Sequence, residues 1–221
     1  MSMVTFKETP GFFVDNKEST KGIVLIQEWW GIDDNLKEYA AQFAKDGFKV
    51  IVPDLYRSRV TQDKDEAKHL MDGMDFKNAV QDILNLSEYL RNIGTHKIGV
   101  VGYCMGGALT IASGIHGKDI IDCGVCFYGI PPVKYFDYKK LVIPMQFHFG
   151  KNDTQKGFSD IDTYSKLKKG LEEVKFDTSE FYEYDAEHAF MNKHAPAYPY
   201  NKEAAIPAQE RTLKFLRSRL Q

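Results

Sequence analysis

Short apolar runs alternate with helix-period segments along most of the chain. "IVLIQE" at 23–28 reads as a short, buried type of strand. "DNLKEYAAQFAKDG" at 34–47 sets Leu36, Tyr39, Ala40, Phe43 and Ala44 on one helical face. Asp34 is its expected N-cap and Gly47 its C-terminal stop. "FKVIVPD" at 48–54 is the next strand, closed by Pro53. A short polar helix is predicted over 63–73. A longer one follows over 75–92, with Phe76, Ala79, Val80, Ile83, Leu86 and Leu90 in register. Then come a strand at 97–103, an apolar helix at 105–117 and strands at 122–129 and 144–150. A helix at 161–174, a strand at 179–184 and a helix at 203–219 close the chain. No element is assigned upstream of residue 23.

Strands separated by single helices imply right-handed crossovers and a mostly parallel sheet with helices on both faces. No internal repeat or low-complexity linker breaks the pattern, so residues 1–221 read as one α/β domain without a separate cap. The segment "NKHAPAYPYNK" at 192–202 reads as a proline- and tyrosine-containing loop of functional length. In such sheets ligands bind beyond the carboxyl ends of the strands. That singles out Glu28, Asp54, Cys104, Tyr128, Asp153 and His188.

Composition narrows the partners. The chain has 221 residues, 43% of them hydrophobic and 27% charged, with a net charge of −2. Neither nucleic acid nor an anionic membrane is suggested as a partner. The first residues, "MSMVTFKETPG", contain no apolar signal-peptide core. The most apolar segment, 22–32, is too short to span a bilayer and carries Glu28. Three cysteines make a disulfide framework improbable. The expectation is a cytoplasmic protein with reduced thiols. No dinucleotide fingerprint, P-loop or metal cluster is visible, so no cofactor and no metal are expected.

The stretch "VVGYCMGG" at 100–107 carries the chemistry. Gly102-Tyr103-Cys104-Met105-Gly106 has the glycine–x–nucleophile–x–glycine form of a nucleophile elbow, between a strand and a helix. Glycines two residues either side remove a steric collision where the strand turns into the helix. Cys104 then sits at a helix N-terminus, which favours a thiolate and presents free N–H groups to an oxyanion. The alternative is a buried cysteine beside packing glycines. An elbow nucleophile needs an acid and then a histidine later in the chain. Asp153 in "FHFGKNDT" and His188 in "YEYDAEHAF" both follow predicted strands in that order. His188 would accept the thiol proton, and Asp153 would hold its tautomer. His194 is the second choice of base.

Two other features are weaker. Cys123-Gly124-Val125-Cys126 is a C-x-x-C, but it begins a strand, which sends the thiols to opposite faces, and is read as structural. Trp29 and Trp30 are expected to divide, one lining a pocket and one packing. Tyr128 is a candidate pocket wall.

"VVGYCMGG", "GKND" and "EHAF" together resemble the dienelactone hydrolase family of the α/β-hydrolase fold. "LIQEWWGIDDNLKEYA" and "VPDLY" are similar to that family's first two strand-to-helix turns, and the likeness runs from about Gly22 to Leu216. The resemblance implies that Glu28 contacts the resting thiol and governs its ionisation. It implies Met105 and Trp29 N–H groups as oxyanion donors. It also implies two arginines for a substrate carboxylate. Asn192 stands at one of those positions and Lys64 at the other, with Arg57 and Arg59 nearby; Met71 replaces an expected aromatic. The resemblance therefore implies the hydrolytic machinery without recognition of dienelactone itself. Lys64, Arg59 and Asn192 remain candidates for substrate contact.

The expected activity is acyl transfer from a small ester or lactone to Cys104, in a monomer or homodimer. Two rivals stand beside it: a redox-sensing or peroxide-reactive thiol on a hydrolase-like frame, and a non-catalytic binding module.

Overall fold

The computed structural model describes residues 2–132, 136–174, 178–195 and 198–221. Eight strands form one sheet in the order β1-β2-β4-β3-β5-β6-β7-β8. β3 (Lys21–Ile26), β4 (Lys49–Pro53), β5 (Lys97–Tyr103), β6 (Cys123–Phe127), β7 (Met145–Gly150) and β8 (Glu180–Tyr184) run parallel. Their centre is apolar on both faces: Ile23 through Ile26, Val50 to Val52 and Val100 and Val101 are all buried. That is the signature of strands covered by helices on both sides.

The sheet starts with a hairpin the sequence reading did not assign. β1 (Ser2–Phe6) pairs antiparallel with β2 (Thr9–Val14), and β2 pairs antiparallel with β4. β1 is an edge strand with mostly exposed residues, so it lacks an apolar run. Pro10 and Gly11 inside β2 imitate a turn signal.

Helices cover the two faces. Added side-chain atoms at Gly22 and Gly102 would meet α3 (Phe76–Asn92) and α4 (Met105–His116). At Gly99 they would meet Leu216 and Leu220 at the end of α6 (Lys202–Arg219), on the opposite face. Arg217 of α6 reaches Asp46, the C-cap of α1 (Asp34–Lys45). α2 (Lys64–Asp72) and α5 (Ile161–Glu173) complete the set.

Local corrections are small. The N-cap of α1 is Asp33, not Asp34: its carboxylate accepts from Leu36 N–H at 2.9 Å. β3 stops at Ile26, so Glu28 lies in the connection beyond the strand. The loop expected over 192–202 falls at 196 and 197 outside the described residues. No helix among the described residues is long and apolar enough to cross a membrane.

Candidate active site

β5 ends at Tyr103 and α4 begins at Met105, so the whole reversal falls on Cys104. Its backbone takes φ 54° and ψ −118°, a region that costs a non-glycine residue about 1–3 kcal/mol. Close packing on both sides holds it there. A Cβ at Gly102 would lie 2.0 Å from Gly106 O, and one at Gly106 would lie 2.6 Å from Ile26 O. Only glycine permits that approach. Cys104 N–H donates to Phe127 O at 3.0 Å, and Gly107 N–H donates to Cys104 O at 2.8 Å.

Two further strand ends bring His188 and Asp153 to the elbow. Lys151 N–H donates to Tyr184 O and Asn152 N–H to Ala186 O, which splices the loop after β7 to the loop after β8. His188 Nε2 then lies 3.2 Å from Cys104 Sγ, and Nδ1 lies 2.7 Å from Asp153 Oδ2. Asp153 Oδ1 accepts from Gln155 N–H at 2.9 Å, and Ser159 Oγ is a second neighbour of Nδ1 at 3.1 Å. The imidazole is gripped edge-on by the rings of Tyr128 and Tyr198, each with its centroid 5.1 Å away. With Nδ1 facing a carboxylate, the proton belongs on Nδ1 and the lone pair on Nε2 faces the sulfur. His194 is not part of this group: its Nε2 lies 3.6 Å from Glu38.

Glu28 is buried beside them. Its Oε1 accepts from the Tyr128 hydroxyl at 3.2 Å and its Oε2 from Asn192 Nδ2 at 2.6 Å. Burial lifts its pKa from the usual 4.5 to about 7; the Asn192 bond opposes the rise, Asp33 adds to it, and the Tyr128 bond opposes it. Asn192 is held at both ends of its amide, since its Oδ1 accepts from His194 N–H at 2.8 Å.

Burial works against the thiolate that the helix end favours. The cysteine is half-buried, and burial pushes its thiol well above the usual range. The charge of Glu28 adds to the rise, the Met105 N–H bond to sulfur works against it, and Asp153 adds a smaller push. Desolvation and two carboxylates outweigh the helix end.

Over the sulfur opens a cavity of about 260 Å³, with Cys104, His188 and Glu28 at its floor. Trp29, Trp30, Met71, Phe158 and Tyr198 form its walls. Both tryptophans line it, against the expected division, because they lie in a turn where strand alternation does not apply; their rings meet edge-on at 4.9 Å. Tyr128 is not a wall: it is fully buried and serves Glu28 from behind. Lys64 and Arg59 are exposed and lie outside the lining, and Arg57 is paired with Asp82 at 2.9 Å. α2 presents Met71, at its far end, to the cavity, and Lys64 opens the helix about 10 Å away along the axis.

Gln155, Phe158 and Tyr198 were missed as lining residues. The first two follow the "GKND" turn without periodicity, and Tyr198 lies in the loop singled out only as a whole. Cys123 and Cys126 are buried in the sheet, with Cys126 Sγ directed at Gly129 O.

A family model described as the dienelactone hydrolase family matches residues 10–220. The chain belongs to the dienelactone hydrolase family. Protein usf of Aquifex pyrophilus is 29% identical over 194 residues, covering 83% of this chain and 82% of that protein. Carboxymethylenebutenolidase 1 of Cupriavidus pinatubonensis is 26% identical over 214 residues, covering 90% and 86%. Among solved structures, a dienelactone hydrolase-like promiscuous phosphotriesterase from metagenomic libraries superposes with a TM-score of 0.83. It is 18% identical and covers 100% of this chain and 98% of its own, a likeness of fold. This dienelactone hydrolase relative therefore has the α/β-hydrolase fold and is a hydrolase.

Proposed function

We propose that this chain, as a single α/β-hydrolase domain, hydrolyses small carboxylic esters or lactones by acyl transfer through Cys104. The observation that carries the reading is the continuous chain from Cys104 Sγ through His188 to Asp153, at 3.2 and 2.7 Å, on the floor of an apolar cavity. Because the thiol is held neutral, attack and proton transfer are coupled. Sulfur adds to the ester carbonyl carbon as its proton passes to His188 Nε2. Asp153 steadies the imidazolium. The developing oxyanion is received by Met105 N–H and Trp29 N–H. Collapse breaks the ester C–O bond, and His188 returns the proton to the departing alkoxide. Water, deprotonated by His188, then cleaves the thioester to release the acid and restore the thiol.

A thioester intermediate favours activated esters, enol lactones and thioesters over amides. The rival reading as a peroxide-reactive thiol needs a lowered thiol pKa, and burial with Glu28 pushes it the other way.

The test is turnover of a panel of small esters and lactones by wild type, Cys104→Ser and His188→Ala, with mass spectrometry of the trapped enzyme. An acyl adduct on Cys104 and loss of turnover in both variants are expected. Cys104-independent turnover would overturn the mechanism.

A further inference from the structure

We propose that the cavity over Cys104 selects small uncharged esters or thioesters with a flat apolar group, and excludes molecules that carry a carboxylate. The inference rests on the acyl-transfer reading and narrows its substrate class.

The walls are the first argument. Trp29, Trp30, Phe158 and Tyr198 surround the space with ring faces and edges, and Met71 adds a pliable apolar side. Aromatic walls favour a planar guest through stacked and edge-on contacts. At about 260 Å³ the space is smaller than the usual drug-sized pocket of roughly 300–1,000 Å³, so the guest is small.

Charge is the second argument. Among the described residues lining the cavity, the carboxylate-bearing member is Glu28 and none is lysine or arginine. Asp153 adds a second carboxylate just behind the imidazole. Two of the neutral amides nearby already spend an N–H inside the protein. Asn192 donates to Glu28, and the Gln155 amide donates to the Tyr198 hydroxyl. Arg57 is paired with Asp82, and Lys64 and Arg59 are exposed and outside the lining. An entering carboxylate would lose its water against apolar rings and face a like charge with no counter-ion. A neutral ester meets neither cost.

Two matched pairs of probes test this at pH 8. The first pair is 4-acetoxybenzoate and its methyl ester, with kcat/KM of each divided by its own alkaline hydrolysis rate. The uncharged ester is expected to be preferred by roughly 100-fold, the effect of one like charge several ångströms away at an effective dielectric near 20. The second pair is iodoacetamide and iodoacetate, scored by mass spectrometry at Cys104 and normalised to N-acetylcysteine amide. Iodoacetamide is expected to react at least about tenfold faster than the free thiol's own preference predicts. Met71→Arg, which sets a cation in the wall, is expected to narrow both ratios. Ratios near one or inverted in wild type would overturn the inference and leave the hydrolase reading standing. Failure of both esters with an intact alkylation preference would overturn the acyl-transfer reading and support charge exclusion.

Discussion

Asn192 Nδ2 donates to Glu28 Oε2 at 2.6 Å across 164 residues of chain. The bond ties the loop after the last strand to the connection after β3, and with Tyr128 it leaves both carboxylate oxygens occupied. The two donors hold the carboxylate in a fixed place beside the thiol and the imidazole. They do not cancel the cost of burying it, since its pKa still rises to about 7.

That cost fixes a stability profile. Glu28 takes up a proton more readily folded than unfolded, so its contribution is neutral below pH 4.5 and becomes unfavourable as pH rises to about 7. The loss amounts to about 3 kcal/mol at 1.36 kcal/mol per pH unit. Denaturant unfolding at pH 5 and pH 8 measures it, and Glu28→Gln is expected to flatten the difference. An unchanged slope in the variant would locate the effect elsewhere.

The same carboxylate bears on the thiol. After burial, the charge of Glu28 is the next largest cause of the raised Cys104 pKa. Glu28→Gln is expected to speed iodoacetamide alkylation of Cys104 at pH 8, because removing the neighbouring negative charge eases ionisation of the thiol. A slower reaction would show that Glu28 assists ionisation instead.

Asp153→Asn keeps the shape of the bond to His188 Nδ1 but offers the wrong hydrogen-bonding partner for the reactive tautomer. Ester turnover is expected to drop roughly 10³-fold or more in kcat, with KM little changed. The thermal midpoint, followed by circular dichroism, should remain close to wild type. A fall in KM-dependent terms alone would place Asp153 in substrate binding.

Two glycine substitutions separate crowding from backbone conformation. Gly102→Ala would drive a methyl group to 2.0 Å from Gly106 O and is expected to cost more than about 3 kcal/mol, or to prevent folding. Gly47→Ala meets nothing within 4 Å but sits at φ +99°, and is expected to cost about 1 kcal/mol. Equal effects in urea unfolding would contradict the strand–helix approach described for the elbow.

The central parallel strands were legible because they are buried on both faces and read as continuous apolar runs, as in "KIGVVGY". The candidate site residues were legible for a related reason: Cys104 and Asp153 follow such runs, and His188 follows the shorter, half-exposed β8. What escaped has weak local signals. β1 is exposed and β2 contains Pro10 and Gly11, so neither shows a core pattern. The partners of Glu28 are set by tertiary approach, and no spacing in the chain pairs residue 28 with Asn192. A helix end that favours a thiolate is visible in sequence, whereas the burial and the Glu28 charge that oppose it are not.

Cys104, Asp153 and His188 follow the ends of β5, β7 and β8, whereas the walls above them come from turns and from α2. On the proposed reading, reactivity and taste thus draw on different pieces of polypeptide. Selection can re-tailor the rim at Met71, which makes no ring contact with His188, without disturbing the framework beneath, which makes this scaffold a ready starting point for laboratory evolution toward new acyl donors.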